Sequence, residues 1–146
     1  MMENSKQRKY RFGKSDRLRH RTLVEGLFSE GHNLYEYPLR LVWRKISAAQ
    51  LDEAFLNGRP PGIGKLQMMV TVPKKKRRHA VDRVLMRRRI REAYRLNRLH
   101  LLKPLDERPG DDFLQLAFIY LHNDNMDYAD IERKMKSLIF KLGKHI

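Results

Sequence analysis

The segment from Lys74 to Arg98 constrains the fold of this chain more than any other part of the sequence. It carries twelve lysines and arginines against two acidic residues, so most of it must lie at the surface. From about Ala80 to Leu102 its pattern is typical of a helix. At 100° per residue, a sector about 100° wide contains its apolar positions and one asparagine: Met86, Ile90, Ala93, Tyr94 and Asn97. This helix therefore needs a sheet to cover one face and leaves its other sides to solvent or a ligand.

A row of arginines runs along the same helix, beside the apolar sector. The row consists of Arg87, Arg91, Arg95 and Arg98, with Arg83 and Arg88 at its borders. Like charges one turn apart repel by about 0.2–0.5 kcal/mol per pair, so the row destabilises the free protein. A merely solvated face would carry interspersed acids, and this one has only Asp82 and Glu92. The row favours a phosphate ligand, because guanidinium groups can donate two parallel hydrogen bonds to phosphate.

The positive charge of the chain is concentrated in two segments. Residues 1–21 have a net charge of +6 and residues 74–98 of +10, whereas residues 22–73 are neutral and residues 99–146 have −1, which together give the formal +15. Such a distribution indicates a defined binding site for a polyanion, either nucleic acid or an anionic membrane surface.

The remaining pattern predicts one α+β domain over residues 15–146, after a basic and flexible tail at 1–14. We expect a first helix capped by Ser15 or Asp16 and ended by Gly31, a long loop at 47–64 with one short helical turn, and breaks at Pro104, Pro109 and Gly110. The other predicted elements are strands at Pro38–Lys45, Leu66–Val72 and Phe113–Leu121 and a last helix at Tyr128–Leu142. The order predicts a sandwich of helices on one small sheet.

Two further groups of residues are candidates for contact with nucleic acid. Arg40, Val42 and Arg44 alternate with Leu39, Leu41 and Trp43, so the first strand can present a second basic surface, with Trp43 in the core. Phe12 has no evident place in the predicted core and is a candidate for stacking on a base, as is Tyr10.

The sequence lacks the motifs of a self-sufficient enzyme. It has no cysteine, no phosphate-binding glycine loop, and no histidine spacing typical of a metal site. The acidic pairs near Asp111 and Asp124 fit turns and helix caps better than a cation site. No apolar stretch is long enough for a bilayer and no secretory signal is evident, so we expect a soluble intracellular protein. We predict a binding protein with no catalytic or metal-binding residues of its own.

The run VTVPKKKRRHAVDRVLMRRRIREAYRLNR, from Val70 to Arg98, resembles the signature of the bacterial ribonuclease P protein subunit. That signature has a strand ending in a basic pair, a short loop, and a helix with the pattern Ala-Val-x-Arg-Asn-Arg followed by further arginines and Arg-Glu-Ala-Tyr/Phe-Arg. Other segments match in order: Phe12–Leu18, Leu27–Gly31 and Tyr37–Arg40. The resemblance extends over roughly residues 10–142.

The resemblance implies a small two-layer α/β sandwich with a left-handed βαβ crossover, as in the second domain of ribosomal protein S5. It implies an endoribonuclease subunit of the cytoplasm that binds a catalytic RNA and the 5′ leader of precursor tRNA, with Mg²⁺ held mainly by the RNA and no obligate protein partner. The RNA-binding residues implied are Lys74, Lys75, Arg83, Arg87, Arg88 and Arg91, and the arginine row adds Arg95 as a candidate. For the leader cleft the resemblance implies Phe28, and the further candidates are Phe12, Arg17, Arg40 and Val42.

One departure from the signature affects this map of RNA-binding residues. Val84 and Leu85 stand where the family has asparagine and arginine, so we expect two polar interactions to be absent or moved to Arg88, Arg89 or Lys76. An alternative function is a ribosomal or ribosome-assembly protein of the same fold, which would not stimulate tRNA maturation. A stand-alone nuclease and a DNA-binding regulator fit less well, because neither an acid cluster nor a helix-turn-helix pair is evident.

Overall fold

A computed structural model describes residues 11–107 and 110–146 of the chain. Its four strands are β1 (His32–Glu36), β2 (Leu39–Ile46), β3 (Leu66–Thr71) and β4 (Phe113–Tyr120). They form one sheet in the order β1-β2-β4-β3, in which β3 and β4 are parallel and the other neighbours antiparallel. β4 is buried along its whole length, because it lies inside the sheet and both of its faces are covered.

Five α-helices in the described residues accompany the sheet. They are α1 (Arg21–Glu30), α2 (Ala48–Glu53), α3 (Ala80–Asn97), α4 (Leu99–Glu107) and α5 (Tyr128–Gly143). A 3₁₀ turn at Lys14–Asp16 precedes α1. The predicted strands over β2, β3 and β4 and the predicted last helix agree with the structure to within one residue at each end, because each carries an uninterrupted apolar period. None of the helices in the described part of the chain is long and apolar enough to cross a bilayer.

The larger core cluster lies between one face of the sheet and helices α3, α4 and α5. All five residues of the predicted apolar sector of α3 are buried, and all but Asn97 belong to this cluster: Met86, Ile90, Ala93, Tyr94 and Asn97. Trp43 is also buried in this cluster, as predicted. The α+β fold inferred from the sequence is confirmed, and α3 has only one side committed to the core.

The opposite face of the sheet carries a smaller core cluster under α1 and α2. Leu23 and Leu27 of α1 and Leu51 of α2 pack there on Val42 and Ala117. The sandwich predicted from the sequence therefore has a second, partial helical covering. β3 and β4 are parallel neighbours connected through α3 and α4, as the resemblance implies. The left-handed sense of this βαβ crossover stays a prediction.

The start of α1 differs from the prediction. Neither Ser15 nor Asp16 caps the helix, which begins at Arg21. Arg17 instead forms a bridge with Met68 at the edge of β3, and the backbone N–H of Leu18 donates to the Met68 carbonyl at 2.9 Å. Residues 17 and 18 are thus held in an extended conformation along the sheet, so the helix begins later in the sequence than predicted.

The predicted break at Pro104 is also wrong, as is the single helix from Ala80 to Leu102. α3 ends at Asn97, and α4 runs through Pro104 to Glu107. Pro104 has no N–H to donate within the helix, but Leu101 and Leu105 are both buried in the larger core, and this burial offsets the loss. Pro109 and residues 1–10 of the predicted tail lie outside the described residues.

Candidate nucleic-acid interface

The predicted arginine row lies on one side of α3, next to the segment that precedes α1. We call Arg87, Arg88, Arg91 and Arg95, together with Arg17, the α3 surface. Arg88 is exposed and Arg87 and Arg91 are half-exposed, because burial of Met86 and Ile90 fixes the rotation of the helix. Arg95 forms a two-bonded ion pair with Glu92, at 2.9 and 2.7 Å. Packing of one face of α3 in the core therefore leaves several guanidinium groups in one row at the surface.

Arg17 adds its charge to this row, although it is more than sixty residues away in sequence. The pKa of Arg91 is lowered from its ordinary value, first by partial burial and then by repulsion from Arg17 and Arg87. Three guanidinium groups thus share one region of positive potential, and among the described residues no carboxylate offsets this shift at Arg91. An anion placed among them would remove the repulsion.

Phe12 packs beside the same surface, on the larger core. Its ring meets that of Tyr94 edge-on, with the centroids 6.0 Å apart. The guanidinium groups of Arg17 and Arg98 lie 5.6 and 5.9 Å from the centre of the Phe12 ring. The expectation that Phe12 has no part in the core is therefore wrong, because the segment before α1 folds back over Tyr94.

Arg98, the last member of the predicted row, is buried rather than presented. Only 4% of the residue is exposed. Its guanidinium forms an ion pair with Asp16 at 3.0 Å and donates to the Arg11 carbonyl at 2.6 Å. It attaches the segment before α1 to the end of α3, and so positions Arg17 against the row.

The basic loop before α3 is held in shape by an arginine of that helix. Arg83 donates to the carbonyls of Arg77 and Arg78 at 3.0 and 2.8 Å, so it supports the loop from the first turns of α3. Lys74 and Lys75 are exposed, and with Arg78 and His79 they line a shallow cavity of about 600 Å³. Both predicted loop lysines are thus accessible to an anion.

A second contact fixes this loop to the turn before α5. Arg77 pairs with Asp82 at 3.0 Å and donates to the Asn123 carbonyl. A hydrogen bond from Asn125 is the main reason why the pKa of Asp82 lies below its ordinary value, and the Arg77 charge adds to it. Asp82, which interrupts the basic face in the sequence, therefore anchors the loop.

The structure separates the residues predicted to line the leader cleft. Phe28 is 45% exposed on α1, and Val42 is 2% exposed beneath that helix. Arg40 donates to the Asn33 side chain at 2.9 Å. Phe12 belongs to the larger core and Arg17 lies at the β3 edge. These residues occupy both faces of the sheet, and their joint role in one cleft stays a prediction.

Arg44, which the strand alternation placed with Arg40 and Val42 on a second basic surface, lies largely covered under α1. It donates to the Gln115 side chain at 3.3 and 3.2 Å and pairs with Glu30 at 3.3 Å. A side chain at Gly26 would place a Cβ only 2.7 Å from the Arg44 guanidinium, so a glycine lets α1 approach it. The alternation of side chains along β2 predicts from the sequence that Arg44 lies on the same face as Arg40 and Val42.

Val84 and Leu85, which replace polar residues of the family signature, are half-exposed on α3. Beside them Val81 is 78% exposed, so the first turns of the helix carry an apolar surface. Of the three residues expected to compensate, Arg89 donates to the Met126 carbonyl, Lys76 is half-exposed and Arg88 is exposed. Arg88 is thus the best placed of the three for an external contact. Among the described residues, no group of three or more histidine or acidic side chains is arranged to hold a metal ion.

Fold and surface together define a small α+β protein with a concentrated cationic face beside a crossover helix. The family model of ribonuclease P matches residues 12–143. Ribonuclease P protein components of two Porphyromonas gingivalis strains are each 32% identical to the chain over 133 residues, 91% of this chain and 87% of theirs. The chain belongs to the ribonuclease P protein family.

Solved structures of the same family share the fold. The ribonuclease P protein of Thermotoga maritima has a TM-score of 0.59 at 19% identity, covering 86% of this chain and 96% of that one. A Staphylococcus aureus ribonuclease P protein has a TM-score of 0.56 at 16% identity, covering 90% and 97%. At such identities the likeness concerns the fold, and the matches to the family model and the curated relatives establish the family.

Proposed function

We propose that this chain is the protein subunit of a cytoplasmic ribonuclease P, in which a catalytic RNA removes the 5′ leader of precursor tRNA. The observation that carries the proposal is the convergence of Arg17, Arg87 and Arg91 at one surface, in a chain of this family. The repulsion of Arg91 by Arg17 and Arg87 does not stabilise the free protein. A bound phosphate backbone would relieve this repulsion.

The α3 surface and the loop lysines form the proposed contact with the catalytic RNA and the adjoining substrate. Arginines suit this role because a planar guanidinium can bind one phosphate through two hydrogen bonds and also stack on a base. Lys74 and Lys75 extend the same positive region beyond the amino end of α3. Binding across this region would hold the RNA and the substrate close together.

The chemical step belongs, in this proposal, to the RNA and its Mg²⁺ ions. The protein's cations lower the repulsion between substrate and RNA phosphates, which otherwise requires bound magnesium to overcome. The protein should therefore matter most when magnesium is scarce. Phe28 and Arg40 are the accessible members of the proposed leader cleft on the α1 side.

The test is cleavage of a precursor tRNA by the cognate ribonuclease P RNA at low magnesium, with and without this protein. We expect cleavage from the mixture and none from the protein alone. Arg87→Ala/Arg91→Ala should lose most of the stimulation. Arg59→Ala/Arg133→Ala removes the same charge from residues outside α3 and serves as the control.

Two outcomes would contradict the proposal. If the cognate RNA is bound tightly but cleavage is not stimulated, the ribosome-associated alternative is favoured. If the control variant loses as much stimulation as Arg87→Ala/Arg91→Ala, the stimulation depends on the net charge of the protein and not on a defined surface.

A further inference from the structure

A cavity of about 510 Å³ opens where the end of α3 meets α4 and α5. Ile139 and Pro104 contribute to its apolar lining, and Phe140 is 68% exposed at its side. α5 places Leu138, Ile139 and Leu142 in the core but turns Phe140 out of it. A large aromatic side chain is thus exposed beside a concave apolar surface.

Three basic side chains surround this apolar lining. The Lys144 ammonium lies 4.7 Å from the centre of the Phe140 ring. Lys136 is mostly exposed and pairs with Glu132 at 3.4 Å, and His100 is exposed at the opposite side of the cavity. No acidic side chain lines the cavity in the part of the chain that the structure describes.

An aromatic ring with adjoining cations matches the chemistry of an unpaired nucleotide. The base would stack on the Phe140 ring, and the phosphate would lie against the ammonium groups of Lys136 and Lys144. Lys144 sits on a flexible four-carbon chain, so it can leave the ring for a phosphate. A second copy of this chain, placed with the same face, would bring like charges together.

No residue of the α3 surface is among the described residues that line this cavity, although Arg95 of that surface lies near Tyr128 at the start of α5. Arg98 contacts the segment before α1 through Arg11 and Asp16, and Arg91 feels the charge of Arg17 in the same segment. α5 packs on another side of the helix, where Arg89 reaches the Met126 carbonyl. A ligand in the cavity would therefore add a second point of attachment.

We propose that the cavity between α3, α4 and α5 binds an unpaired nucleotide of single-stranded RNA by stacking on Phe140 and by charge contacts with Lys136 and Lys144. The proposal rests on the proposed RNA-binding function and extends it to a second surface. RNA that contacts both surfaces must bend around α3 or supply a separate single-stranded segment.

The experiment measures the affinity of a short, labelled single-stranded RNA of mixed sequence by fluorescence anisotropy. Phe140→Ala should weaken binding roughly 5- to 100-fold, the range expected for one base stacked on an aromatic ring. Phe140→Trp should restore it. Lys136→Ala/Lys144→Ala should reduce the slope of log affinity against log salt by about 0.7 for each phosphate that these lysines neutralise. Tyr35→Ala, which removes another exposed aromatic ring, is the control and should leave the affinity unchanged.

The same measurements are repeated with Arg87→Ala/Arg91→Ala as the background, so that the two surfaces are tested separately. Unchanged affinity on Phe140→Ala in both backgrounds overturns the cavity proposal, while loss of binding by the background alone still supports the α3 surface. If wild-type protein forms dimers that Phe140→Ala dissociates and RNA affinity is unchanged, the face is a contact between copies and the proposal is likewise overturned.

Discussion

At the scale of single residues, arginines that look equivalent in sequence have three different roles. Arg98 is a buried anchor for the segment before α1, and Arg83 holds the basic loop through two carbonyls. Arg88 is exposed on the same helix. The environment of each guanidinium, rather than its place in the row, decides whether it stabilises the fold or faces a ligand.

This distinction predicts unequal effects on stability for two arginines of the predicted basic face. Arg98→Ala should lower the free energy of unfolding by about 3 kcal/mol, because it leaves Asp16 unpaired in a largely buried site. Arg88→Ala should change it by less than about 0.5 kcal/mol. Urea denaturation followed by circular dichroism measures both, and equal effects would contradict a structural role for Arg98.

At the scale of elements, α3 combines a stable core face with an electrostatically strained surface. Met86, Ile90 and Tyr94 are fully buried, and their packing outweighs both the partial burial of Arg91 and its repulsion from Arg17 and Arg87, which together lower the pKa of Arg91. The helix is thus held in a charge arrangement that it would not favour by itself.

Arg91→Met should therefore stabilise the free protein while weakening its binding to RNA. Removing repulsion from Arg17 and Arg87 should raise the free energy of unfolding by about 0.5 kcal/mol at low salt. The gain should decline as salt screens the charges. Arg133→Met is the control, since Arg133 pairs with Asp130 and its loss should bring no gain. A less stable Arg91→Met protein at every salt concentration would refute this account.

A second pair of elements, β1 and α5, is connected through Glu36. Its carboxylate accepts hydrogen bonds from Lys141 at 2.7 Å and Ser137 at 2.9 Å, and it pairs with Lys134 at 3.5 Å. These contacts hold the pKa of Glu36 below its ordinary value, the Lys141 hydrogen bond contributing most. The charged form of Glu36 is thus favoured in the folded protein.

The stability difference between wild type and Glu36→Gln should depend on pH accordingly. A lowered folded-state pKa stabilises the fold above the unfolded-state pKa of about 4.3, and this contribution is lost as pH falls through the folded-state value. Wild type should be more stable than Glu36→Gln at about pH 7, and the free energies of unfolding of the two proteins should converge at about pH 3. Denaturation at a series of pH values checks this, and other carboxylates cancel in the difference. If the stability difference between wild type and Glu36→Gln increases as the pH is lowered, the predicted direction of the Glu36 pKa shift is wrong.

At the scale of the whole molecule, a fold of ordinary charge carries two basic segments that meet in space. In the described part of the chain, residues 11–21 with a net charge of +4 meet residues 74–98 with +10 through the contacts of Arg98 with Asp16 and Arg11. The molecule therefore presents one strong positive field to a polyanion, which should give fast and salt-sensitive association.

Binding to ribonuclease P RNA should weaken steeply as salt increases. Each phosphate contact contributes about 0.7–0.9 to the slope of log affinity against log salt, so Arg87→Ala/Arg91→Ala should reduce that slope by about 1.4–1.8. Arg59→Ala/Arg133→Ala should leave it nearly unchanged. Filter binding over a range of potassium chloride concentrations measures the slopes, and identical slopes for all three proteins would exclude direct phosphate contacts by the row.

Local sequence pattern was enough to predict the buried face of α3, the strands β2, β3 and β4, and the position of α5. These follow from periodicity, because an apolar repeat of 3.6 or 2 residues specifies both the element and the side that it buries. The family could also be recognised from the sequence, because the signature from Val70 to Arg98 lies on one continuous loop and helix.

Which cations face outward, and what surrounds them, depends instead on contacts between distant parts of the chain. The delayed start of α1, the burial of Arg98, the place of Phe12 on Tyr94 and the approach of Arg17 to Arg91 all require residues 11–18 to lie along β3 and α3. Such contacts join residues fifty or more positions apart, and no local period encodes them. The helix through Pro104 has the same origin, since burial of Leu101 and Leu105 against distant elements outweighs a local preference.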